Sequence, residues 1–233
     1  MREDAEVAAI RERYARRAAQ GHGRRYSMLD AANWQTVQER QRRIIQFLAS
    51  ARLPVLNEVR LLEVGCGHGG NLLEMIQLGL KPANLGGIEL IGERLDVARS
   101  RLPGDVTLIA GDAMQASIPE GSQDIVYQSV VFSSLLDDRF QEELAARMWT
   151  WIRPGGAVLW YDFIYDNPSN RDVRGVPLKR VGRLFPQAEI RSRRVTLAPP
   201  IARRACSMSP FLYTLLNGLP WLRTHVLCWI QKS

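Results

Sequence analysis

The chain of 233 residues is 46% hydrophobic and 24% charged, which suits a folded globular protein and excludes a disordered or fibrous one. Its net charge of +7 favours anionic partners: nucleic acid, phosphorylated small molecules or an acidic membrane surface. Scattered Cys66, Cys206 and Cys228 and only three histidines argue against a disulfide framework or a metal site; with no signal segment and no run of about 18 apolar residues, a cytoplasmic protein without a spanning helix is expected.

Residues 2–25, rich in Ala, Arg and Glu, read as a charged helix broken by Gly21-His22-Gly23. Residues 33–50 read as a second helix, with Asn33 as N-cap and Trp34, Val37, Gln41, Ile44, Ile45 and Leu48 at helical spacing. From there strands and helices alternate. Strands are predicted at 59–64, 85–90, 105–110, 123–130, 156–162, 190–197 and 225–230. Helices are predicted at 69–78, 93–101, 137–152 and 176–185, the last with Pro177 near its first turn. The stretch from Pro199 to Pro220 is predicted to be helical in its second half. Short links between strand and helix imply an α/β fold: a doubly wound, mostly parallel seven-stranded sheet with helices on both faces and an N-terminal helical extension. We divide the chain into that extension or lid (1–54) and the sheet domain (55–233).

The segment Leu61-Leu62-Glu63-Val64-Gly65-Cys66-Gly67-His68-Gly69-Gly70 sits at a strand-to-helix turn, where glycines allow a tight turn and close approach of a ligand. Gly65, Gly67 and Gly70 satisfy the dinucleotide pattern GxGxxG, whereas Gly65, Gly67 and Gly69 satisfy the looser ExGxGxG. Three features separate the two. Glu63 precedes the loop where a dinucleotide-binding strand is apolar, Gly111-Asp112-Ala113 follows the third strand, and Trp151-Ile152-Arg153-Pro154-Gly155-Gly156 precedes the fifth.

On these residues, roughly 59–162, the chain resembles the class I S-adenosylmethionine-dependent methyltransferases. The resemblance implies S-adenosylmethionine as cofactor. It implies that the loop Gly65, Cys66, Gly67 and Gly69, with Glu63 before it and Asn71 behind it, approaches the cofactor's methionine part. Glu89, with Leu90 beside it, would bind the ribose hydroxyls. Gly111, Asp112 and Ala113 would meet the adenine, and Gln128 and Ser129 would line the site. A carboxylate can accept from both ribose donors, and Asp112 from the adenine amino group. The competing reading of Glu89 and Asp112 is as solvated loop carboxylates. Cys66 is expected to pack and His68 to stand by. Tyr26, after Arg24-Arg25, could close over the cofactor as part of a lid.

Methyl transfer from a sulfonium needs alignment above all, and a hydroxyl acceptor also needs a base. Asp162, closing the fifth strand, and His225, starting the last, are the candidate catalytic residues; Asp162 is equally readable as a polar strand end, and a lone histidine is more often structural than catalytic. Asp137 reads as a helix N-cap. The polar segment 160–177 leaves the edge of the sheet where an acceptor loop belongs. Its Arg171 and Arg174 could hold an anionic group of the acceptor or be solvated loop arginines. The apolar segment 210–222, with Arg203-Arg204 before it and the arginines of the N-terminal helix, could touch an anionic membrane or cover the sheet. The favoured acceptor is therefore a small molecule, glycan or lipid-linked molecule methylated at oxygen. A nucleic-acid acceptor lacks an Asn-Pro-Pro-Tyr-type motif, the fourth strand running instead into Gln128-Ser129-Val130-Val131. A non-catalytic binding domain and a nicotinamide-dependent oxidoreductase complete the alternatives.

Overall fold

In a computed structural model, described over residues 2–19, 27–168 and 170–233, the element order is α1 (Arg2–Ala19), α2 (Ala31–Ser50), β1 (Leu61–Val64), α3 (Gly70–Gln77), β2 (Leu85–Glu89), α4 (Gly92–Arg101), β3 (Thr107–Ala110), β4 (Gln123–Ser129), α5 (Asp138–Trp151), β5 (Ile152–Phe163), α6 (Leu178–Leu184), β6 (Glu189–Leu197), α7 (Pro199–Met208), α8 (Pro210–Asn217) and β7 (Arg223–Gln231). The strands form one sheet in the order β3-β2-β1-β4-β5-β7-β6. Strands β1 to β5 pair in parallel, and β7 runs antiparallel to both β5 and β6. The strand order reverses between β1 and β4, and open α/β sheets bind ligands at that crevice.

Both faces of the sheet are covered, as the alternation of side chains requires. On one face Leu62, Val64, Val126, Val158 and Val226 meet Ile10 of α1, Leu144 and Met148 of α5 and Val181 of α6. On the other, Leu61, Ile125, Leu159 and Leu227 meet Ile44 and Phe47 of α2, Leu72 and Met75 of α3 and Leu95 of α4. The Arg-Pro-Gly-Gly turn is a bulge within β5 rather than a loop before it. Register shifts there opposite Gln123 and Ile125, and Arg153 Nε donates to Asp124 Oδ1 at 2.5 Å while Arg60 N donates to Asp124 Oδ2 at 2.7 Å. That carboxylate ties β1, β4 and β5 together.

Three local expectations change. Asp30, not Asn33, caps α2: its Oδ1 accepts from the amides of Ala32 (2.8 Å) and Asn33 (3.2 Å), as a short side-chain acceptor at an N-cap does. The buried stripe of α2 is Ala32, Glu39, Ile44, Phe47 and Leu48, which leaves Trp34 and Ile45 exposed. The first half of 199–220 is also helical, because Pro199 and Pro200 occupy the first turn of α7, where the fixed φ and missing N–H cost nothing. The predicted break at Gly21-His22-Gly23 lies outside the described residues.

Candidate functional site

The glycine loop is held open by its own backbone. Gly65, Gly67 and Gly69 have φ of 68°, 56° and 77°, a region in which an L side chain is strained. The amides of Gly65 and Cys66 both donate to Ile88 O (2.8 and 3.0 Å), fixing the loop to β2. A Cβ on Gly65 would stand 2.6 Å from Val131 Cγ2, and one on Gly67 2.6 Å from Arg94 Nη2. Only glycine leaves this floor free for another molecule.

Glu89, at the end of β2, lies beside that floor and is buried. Its Oε2 accepts from Gly67 N at 2.7 Å and its Oε1 from Ile91 N at 3.0 Å, while Arg94 Nη1 stands 3.9 Å from Oε2. Each oxygen thus uses one acceptor site and keeps another. Asp112, after β3, receives Met114 N on Oδ1 at 2.9 Å. Gly65, Glu89, Leu90, Gly111, Asp112, Ala113 and Ser129 line a single pocket at the carboxyl ends of the strands. That pocket brings together half of the residues expected at the cofactor.

Six of the others support it from behind. Glu63, on the opposite face of β1, is fully buried; its Oε1 accepts from Asn71 Nδ2 at 2.6 Å, and Asn71 Oδ1 accepts from Arg40 Nη2 at 2.9 Å. Burial pushes the Glu63 carboxyl up to about 8, against the pull of Asn71 and Arg40. This chain buttresses the start of α3. Cys66 packs against Gly87 of β2, and burial raises its thiol far above the ordinary range. Gly67 and Gly69 shape the loop, His68 is exposed, and Gln128 Oε1 accepts from Val131 N at 3.1 Å, orienting the turn after β4. In that turn Val130 has φ 53°, a costly conformation for a β-branched residue, stored at the pocket wall. Tyr26 lies outside the described residues, as does His22.

Asp162 and His225 do not meet. Asp162 lies on the α5 side of β5, fully buried, with Oδ2 accepting from Ser133 N (3.1 Å) and Oδ1 from Phe163 N (2.9 Å). Burial pushes its carboxyl up to about 7 despite those amides. His225 pairs with Phe163 in the β5–β7 register, so it shares the opposite, α2 face with Tyr161. Its ring stacks on Tyr161 at 5.0 Å and meets Phe163 edge-on at 5.8 Å, and Nδ1 lies 3.0 Å from Thr224 Oγ1. Burial, and next the Arg40 charge, lower its pKa to about 3, so the imidazole is neutral at pH 7. Arg174 is committed to an ion pair with Asp138, and Asp137 caps α5 as expected.

One wall of the pocket comes from residues of the N-terminal extension that the sequence did not single out. Val7, Ile10 and Tyr14 of α1 line it, at the i, i+3, i+7 spacing of a helical stripe. Arg13 and Glu6 form a buried ion pair at 2.7 Å. Glu6 Oε1 also accepts from Leu136 N (2.9 Å), and Arg13 Nη2 donates to Ser134 O (3.0 Å). Arg16 reaches Asp172 Oδ1 at 2.9 Å. The helix is therefore docked between the turns that follow β4 and β5. The other addition is Arg94, whose guanidinium lies 5.0 Å from the Tyr14 ring centroid, joining α1 to the Glu89 corner.

Residues 61–156 match a family model described as a methyltransferase domain. Among curated relatives, a phthiotriol/phenolphthiotriol dimycocerosates methyltransferase of Mycobacterium ulcerans is 33% identical over 143 residues, covering 58% of this chain and 50% of that protein. A fatty-acid O-methyltransferase of Mycolicibacterium smegmatis is 35% identical over 127 residues, covering 52% and 44%. The chain thus spans about half the length, or less, of these relatives. A crystal structure of an S-adenosylmethionine-dependent methyltransferase from Mesorhizobium loti superposes with a TM-score of 0.57 at 17% identity, covering 77% of this chain and 94% of that one.

Proposed function

We propose that this chain, whose residues 61–156 match a methyltransferase-domain model, transfers a methyl group from S-adenosylmethionine to an oxygen of a small, lipid-like acceptor. The observation that carries this reading is Glu89, buried beside a glycine-rich loop with an acceptor site left on each oxygen. Its carboxylate would take the two ribose hydroxyls, Asp112 the adenine amino group, and Gly65 and Ser129 the path between them. The residues fit the group: a floor without Cβ atoms, two carboxylates for its donors, and apolar walls from Ile88, Leu90 and Leu144. A nicotinamide dinucleotide fits less well. Its pyrophosphate would need the amide of Gly67, which is already given to the Glu89 carboxylate.

When bound, the sulfonium supplies a methyl group already activated by positive charge. The chain's residues then have to hold the acceptor in line and exclude water. Of the ionisable residues lining the pocket among the described residues, Tyr14, Glu89, Arg94 and Asp112, both carboxylates serve the cofactor and neither is left to act as a base. We assign Asp162 and His225 to positioning: Asp162 fixes the 131–135 turn through Ser133, and His225 packs Tyr161. An acceptor oxygen that arrives already ionised, as a carboxylate, suits such a site, and the name of the fatty-acid O-methyltransferase relative agrees. Incubation with methyl-tritiated S-adenosylmethionine should label long-chain carboxylic acids. Label on RNA, or on none of a panel of acids, phenols, sugars and RNA, would contradict the reading.

In the same reading α1 is a lid. Ile10→Asp should release it from the pocket. Residues 2–19 then become susceptible to protease, S-adenosylhomocysteine binds about tenfold more weakly, and the unfolding temperature of the sheet domain stays close to that of the parent. Unchanged binding with α1 released would make the helix a bystander.

A further inference from the structure

The outer face of α7 and α8 is built against the usual rule. On α8, Tyr213 points inward and is buried; its hydroxyl donates to Glu39 Oε2 at 2.9 Å, and Leu216 packs with it. The opposite side of that helix is apolar as well. Phe211 is 70% exposed and Leu215, one turn on, is 59% exposed; Met208 at the end of α7 is 76% exposed and Trp221 beyond α8 is 68% exposed. Large apolar groups at i and i+4 on a water-facing helix are not core, and such a patch marks a contact surface. The start of α2 packs against the same two helices through Ala32 and adds exposed Leu29 and Trp34.

The charge of this region identifies what the surface meets. From residue 190 to residue 233 the sequence has no Asp or Glu and has seven cations: Arg191, Arg193, Arg194, Arg203, Arg204, Arg223 and Lys232. Arg204 is exposed and stands one helical turn before Met208, on the same side of α7. Arg203 and Arg204 have no ion pair among the described residues. Apposition of two copies through this face would oppose cation to cation. A single-stranded nucleic acid would stack on Phe211 and Trp221 but leave Leu29, Met208 and Leu215 in water. Aromatic and aliphatic side chains beside arginines suit the boundary of an anionic bilayer, where rings and leucines enter the acyl edge and guanidiniums meet phosphates.

We propose that the outer face of α7, α8 and the turn carrying Trp221 seats this protein on an anionic lipid surface. The proposal is independent of methyl transfer, since binding is read without cofactor or acceptor. The test is co-sedimentation of the full chain with phosphatidylcholine vesicles, with and without phosphatidylglycerol. The chain should sediment with the anionic vesicles, release as salt rises, and bind pure phosphatidylcholine much more weakly. Brominated acyl chains should quench its tryptophan fluorescence, since Trp34 and Trp221 are at the surface. The double variant Phe211→Ser, Trp221→Ser should reduce anionic-vesicle binding about tenfold or more. Both residues are exposed, so its unfolding temperature should match that of the parent. Absence of sedimentation at low salt would overturn the proposal. So would unchanged binding by the double variant, or a dimer of the parent chain that the double variant dissociates.

Discussion

Glu89→Ala should weaken S-adenosylhomocysteine binding by about 2–4 kcal/mol, roughly 30- to 700-fold by titration calorimetry. The expectation has two sources. The two ribose hydroxyls lose their shared acceptor, and a buried donor without a partner costs about 1–3 kcal/mol. The amides of Gly67 and Ile91, which now bond Oε2 and Oε1, are released as well, so the loop loses the contact that fixes its tip to β2. Glu89→Gln keeps one acceptor oxygen and should fall between alanine and the parent. An alanine variant with unchanged affinity would remove Glu89 from the cofactor site.

Raising the pH should destabilise the protein between about pH 4 and 8, and Asp162→Asn should roughly halve that slope below pH 7. The Asp162 carboxyl is raised by burial to about 7 from an unfolded value near 4. Between those values the folded state holds a proton that the unfolded state has lost, so stability falls as pH rises. The fall amounts to about 1.4 kcal/mol for each pH unit crossed, and it ends once both states are ionised. Glu63, raised to about 8 from an unfolded value near 4, adds a like slope over the same range and carries it on to about pH 8. Urea unfolding at pH 5 and pH 8 measures the difference. Asp162→Asn and Glu63→Gln should each shrink it by about half, and Glu63→Gln should also remove the part above pH 7. A full difference retained in Asp162→Asn would mean that the amides of Ser133 and Phe163 keep Asp162 ionised despite its burial.

Much of the sheet domain was legible because its signals are local. Seven apolar runs separated by turn residues predicted seven strands, and the glycines, Glu89 and Asp112 fell at strand ends, where a parallel sheet opens its crevice. What was not legible depends on register or docking. Whether Asp162 and His225 could cooperate turns on strand parity. The pairing of Phe163 with His225 puts the histidine on the opposite face from Asp162, and no local pattern sets an antiparallel register across some sixty residues. The stripe Val7, Ile10, Tyr14 can be read as helical, but nothing nearby says that it closes the cofactor pocket. The strained φ of Val130 is likewise imposed from outside, by Gln128 and by the Tyr161 carbonyl that its amide meets at 2.8 Å. Within residues 210–222, Tyr213 covers the sheet side, packing with Leu197 of β6, and Phe211 and Leu215 face outward.

The central claim is that the glycine loop and Glu89 hold a methyl donor. It is tested most directly by titrating the protein with S-adenosylhomocysteine and, separately, with NAD. One equivalent of S-adenosylhomocysteine should bind and NAD should give no heat of binding; saturable binding of NAD with none of S-adenosylhomocysteine would contradict the account.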